Sequence, residues 1–173
     1  MKCVYFFLIT VLAFCSAHAQ GISFKDLVSL QTKSQPEVEA YFATRGYALE
    51  KVKQTGRHTT HTYRLSDNLD EQSRFIVEFF NNKNTLRWDF NNPKVYGWII
   101  DQIPSLGFTL RKDEPSAYKD ENPAEASIMY ERKNCYIYLK TILNRNFPIY
   151  RNRAKYSVMI GKEMLDTIFL GIQ

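Results

Sequence analysis

A few groups of residues in this chain carry side chains suited to chemistry. His58-Thr59-Thr60-His61 places two imidazoles three positions apart. On a helix that spacing lets two histidines share a metal, but on a strand residues three apart face opposite sides. The segment is rich in Thr and alternates, so it reads as a strand. His61 then shares a side with Tyr63 and Leu65, and His58 shares the other with Thr60 and Arg64. With no third ligand in view, neither a metal nor another cofactor is expected. Cys135 has the type of a nucleophile and His61 that of its base, yet nothing marks an oxyanion hole beside them. Ile137 and Leu139 share the Cys135 side of a strand, the setting of a small apolar residue. Asp113/Glu114 and Asp120/Glu121 are adjacent acids. A glycosidase pair needs a cleft holding its carboxylates roughly 5–10 Å apart, and these lie in a polar stretch where solvated loop acids are expected.

Tyr136, Tyr138 and Lys140 differ in kind. If Ile137 and Leu139 face a core, these three stand on the opposite side of the strand. Arg64 and Arg74 belong to the same outer row by alternation, and Arg132 lies close in sequence. Ile76 and Phe80 add apolar surface there. Tyr and Arg mixed on one open face is a composition typical of binding hot spots. The candidate binding set is therefore Tyr136, Tyr138, Lys140, Arg64, Arg74 and Arg132, with no catalytic set.

The elements that must position this row follow from periodicity. Ser23 precedes a short helical stretch through Phe24, Leu27, Val28 and Leu30. Ser34-x-x-Glu37 is a capping box, and Val38, Tyr41 and Phe42 form a helical stripe. Strands are expected over Tyr47–Gln54, His58–Ser66, Arg74–Phe80 and Thr85–Phe90, with a hairpin turn at Asn81 to Asn84. Asn92 and Pro93 start another helix, with Val95, Trp98, Ile99 and Ile103 inward. Strands are again expected over Phe108–Asp113, Ser127–Lys133, Cys135–Ile142 and Ala154–Ile160, with a short helix near Met164 to Phe169. Trp88 and Trp98 are both expected in the core.

A short phrase recurs at the two helix-to-strand corners. Gly46-Tyr47-Ala48-Leu49-Glu50-Lys51 and Gly107-Phe108-Thr109-Leu110-Arg111-Lys112 both read Gly, aromatic, x, Leu, x, Lys. Gly adopts the positive φ that often ends a helix. The aromatic, the Leu and the Lys are expected on one side of the strand. The fold class expected is α+β: two tandem αββββ-like repeats, about 22–91 and 92–163, forming antiparallel sheet with helices packed on one face. Whether the strands form one sheet or two stays open. On these corners and this element order, the chain resembles the β-lactamase-inhibitor-protein type. Its single unit resembles the small outer-membrane assembly lipoproteins of the SmpA/OmlA class. The first resemblance implies binding through an exposed sheet face.

The chain opens with Lys2, an apolar run from Val4 to Phe14 and the Ala17-His18-Ala19 motif, the pattern of a cleaved export leader over 1–19. Residues 20–173 then form one globular domain with a short C-terminal tail, in the periplasm or outside the cell. Phe14 stands before Cys15 where lipidation needs a small residue. No run is long enough for a membrane-spanning helix. The net charge is +5, and Ile128 to Glu163 holds eight Lys/Arg against two Glu. A basic third in an exported chain points to a protein or anionic envelope partner, and not to nucleic acid. These features read as a non-enzymatic binding module. The alternative is an envelope hydrolase with its site in a cleft between the repeats. Oligomeric state is not legible.

Overall fold

A computed structural model describes residues 21–65, 73–81, 83–111, 125–143 and 154–162, the side chains of 125 and 143 excepted. The leader over 1–19, Lys112, the paired acids at 113/114 and 120/121, Arg145, Arg151, Arg153 and the expected helix at 164–169 lie outside the described residues.

Local chemistry sets the helices. Ser23 caps α1 (Phe24–Ser29), its hydroxyl accepting from the Asp26 N–H at 3.1 Å, and a 3₁₀ turn follows (Leu30–Thr32). At α2 (Gln35–Ala43) the Ser34 N–H donates to Glu37 at 2.8 Å. That bond holds the Glu37 carboxyl down at about 2, helped by the Ser34 hydroxyl and Lys33. Asn92 caps α3 (Pro93–Ser105) by accepting from the Lys94 N–H at 2.9 Å. Both corner glycines take positive φ, +80° at Gly46 and +77° at Gly107, where a Cβ would be strained.

The strands are β1 (Tyr47–Thr55), β2 (His58–Leu65), β3 (Arg74–Phe80), β4 (Lys83–Phe90), β5 (Thr109–Leu110), β6 (Glu125–Arg132), β7 (Cys135–Leu143) and β8 (Ala154–Gly161). They form one eight-stranded antiparallel sheet in the order β1-β2-β3-β4-β8-β7-β6-β5. The architecture is thus α+β and mostly sheet. Two meanders meet where β4 pairs with β8, Leu86 opposite Ile160 and Phe90 opposite Tyr156.

All three helices feed one core with one side of the sheet: Phe24, Leu27, Val38, Phe42, Ile99 and Ile103 from the helices, and Tyr63, Phe75, Val77, Leu86, Ile137, Leu139, Val158 and Ile160 from the strands. A line of rings crosses this side. Phe42 stacks on Tyr63 at 4.3 Å, Phe75 on Trp88 at 5.0 Å, Phe90 on Tyr156 at 5.6 Å, and Tyr156 on Tyr96 of α3 at 4.4 Å. Among the described residues no helix is long and apolar enough to cross a membrane.

Several expectations need correction. Trp98 is 38% exposed, so α3 inserts Ile99 and Ile103 and leaves the indole at the rim. Asn84 belongs to β4 rather than the turn: its buried amide donates to the Leu30 and Lys33 carbonyls at 2.7 and 2.6 Å, tying the 3₁₀ turn to the sheet. The corner strand at Phe108 shortens to β5, because Phe108 turns into the core. A register shift between Leu49 and Lys51 makes a bulge at Glu50. A bulge adds a residue and resets the alternation, so Lys51, opposite Thr62, leaves the side of Tyr47 and Leu49.

Candidate functional site

Among the described residues no helix packs on the other side of the sheet, which carries the outer row, and the register orders it into lines across the strands. In one line Arg64 stands opposite Arg74, Arg74 opposite Asp89, Asp89 opposite Ser157, and Ser157 opposite Lys140. At about 4.8 Å per strand this line is roughly 20 Å long. The next line runs Thr62, Ile76, Arg87, Met159, Tyr138, Met129. In a third, Tyr136 lies between Gly161 and Glu131. Arg64, Arg74, Tyr136, Tyr138 and Lys140 thus share one face, drawn from both meanders.

Asp89 is the hub. Its Oδ2 accepts from Arg74 Nε at 3.3 Å and meets Arg87 Nη2 at 3.1 Å, while Ser157 Oγ donates to Oδ1 at 2.9 Å. Arg64 pairs with Glu50 of the bulge at 3.1 Å. The Nε atoms of Arg64 and Arg87 are shielded from solvent and lack a hydrogen-bond partner. Two guanidiniums that share one carboxylate oxygen are drawn together by it and fixed in position. Beside them stands Tyr138, half-buried, with Met159 buried between it and Arg87. Sequence reading alone omits Arg87, Asp89 and Ser157. The signal was the alternation of Leu86, Trp88 and Phe90, which sends Arg87 and Asp89 outward.

Arg132 does not join this face. It stands opposite Cys135 on the helix side, with its guanidinium over the Phe108 ring at 4.6 Å and donating to the Leu106 carbonyl at 2.5 Å. Strand parity, not closeness in sequence, decides the side, and Arg132 serves the C-terminal end of α3.

The other candidates have structural settings. His61 is buried on the helix side, 3.2 Å from the Tyr63 hydroxyl and 3.4 Å from Glu39 of α2. His58 is on the opposite side, stacked on Phe80 at 4.1 Å and bonded to Glu78. Cys135 lies under Gln31, whose amide reaches Sγ at 3.1 Å. Burial pushes its thiol up, away from the thiolate a nucleophile needs. Set against family models, curated proteins and solved structures, the chain finds no match.

Proposed function

We propose that this is an exported, non-enzymatic binding module that holds an acidic protein surface against the sheet face opposite its helices. The observation that carries the reading is the Arg64, Arg74, Asp89, Ser157, Lys140 line running beside Tyr138 and Met159. Arg and Tyr are enriched in protein interfaces. A protein fits better than a small anion because the cations are spread along a flat line of roughly 20 Å. Asp89 and Glu50 already occupy the arginines, so a lone anion would have to displace them. The two-repeat reading is part of this proposal. The support is two meanders, each entered from a helix through a positive-φ glycine. Under it each unit lends strands to the same face.

The test is site-specific photo-crosslinking in the native envelope, from position 138 on the open face and from Lys94 on α3. Capture of an acidic protein from position 138, lost on R74E/R87E and absent from position 94, supports the reading. Equal capture from both positions, or none from 138, overturns it. The mass of the mature chain tests export, which requires cleavage after Ala19.

A further inference from the structure

The two ends of the sheet differ. One ends in β5, a strand of two residues; the other ends in β1, which has nine residues, all but Tyr47 exposed, and pairs only with β2 among the described residues. An outermost strand presents backbone N–H and C=O groups that a further strand can pair with. The bulge at Glu50 gives this edge two chemically distinct margins. On the helix side, Leu49 and Val52 are 46% and 53% exposed. On the open side stand Lys51 and Lys53, opposite Thr62 and Thr60. A strand laid along β1 would meet apolar groups on one margin and ammonium groups on the other.

We propose that β1 takes up an extended segment of another protein as a ninth strand, one in which apolar residues alternate with Asp or Glu. Main-chain pairing supplies affinity and the alternation supplies selectivity. The lysines that repel a like strand attract carboxylates. A second copy is the poorer occupant: antiparallel registers that overlap residues 51 to 53 set Lys51 or Lys53 opposite a like charge. This site is separate from the arginine line of the open face.

The experiment titrates the folded protein with labelled nine-residue peptides: alternating Val and Glu, alternating Val and Lys, and the Val/Glu peptide N-methylated at every second residue. Fluorescence anisotropy reads binding, and hydrogen exchange reads its place. The Val/Glu peptide should bind saturably, protect amides of residues 51–55, and lose at least about tenfold in affinity on K51E/K53E, which should then prefer the Val/Lys peptide. N-methylation and Val52→Pro should each abolish binding, while R74E/R87E should retain it. Absence of saturable binding overturns the proposal. So does binding indifferent to K51E/K53E, or protection in β3, β4 or β7 instead of β1. A concentration-dependent dimer lost on Val52→Pro would give the edge to a second copy and overturn it as well.

Discussion

On β3, β4 and β8, neighbouring residues serve opposite sides of one sheet. Phe75, Trp88 and Phe90 lie in the ring line beneath the helices, while Arg74, Arg87, Asp89 and Ser157 form the charged hub on the open side. The two sides share backbone, register and strand order, and differ only by one position along the chain. One side gains its free energy from dry area and ring contact. The other consists of partly exposed ion pairs, which add little to stability because water screens them. Stability and recognition are therefore separable by parity, and substitutions on the two sides should read out in different measurements.

The strongest way to break this contrast is Trp88→Ala. It should cost about 3–5 kcal/mol in denaturant unfolding, since the ring is buried against Phe75 and its N–H donates to Ser73. Asn84→Ala should cost about 1–3 kcal/mol, because the Leu30 and Lys33 carbonyls lose its amide as donor; faster amide exchange around Leu30 to Lys33 would locate the loss. Asp89→Ala should cost about 1 kcal/mol by leaving Arg74 and Arg87 with like charges and no shared anion. Trp98→Ala should cost less still, and iodide should quench Trp98 but not Trp88. Equal costs for the two tryptophans would erase the distinction between core and rim. The smallest effect concerns Glu37. Its folded carboxyl is depressed from 4.5 to about 2, so its contribution is present above 4.5 and is lost as pH falls through 2. Glu37→Gln should flatten the pH dependence of melting in that window.

Much of this arrangement is legible in the chain. The element order, the caps at Ser34 and Asn92, and the sides of His58, His61 and Tyr63 follow from period and cap chemistry. So does the outward placement of Tyr136, Tyr138, Lys140, Arg64 and Arg74. What is not legible depends on partners distant in sequence. Alternation within β8 does not say that β4 is its neighbour, so the Asp89–Ser157 contact has no local signal. The bulge at Glu50 has no glycine to announce it, and it inverts Lys51. Arg132 was drawn to the wrong side by proximity to the tyrosines. Trp98 sits at the end of an apolar stripe wider than the surface it covers.

The junction of the two meanders has a consequence for how the chain comes together. β4 is complete by Phe90, but its partner β8 begins only at Ala154. Until β8 arrives, the first meander holds an open edge at what becomes the centre of the sheet. Pairing across so long an intervening segment carries a loop-closure cost and slows folding. A chain made in N-to-C order would pass its most association-prone interval there, with that edge protected only once β8 is delivered.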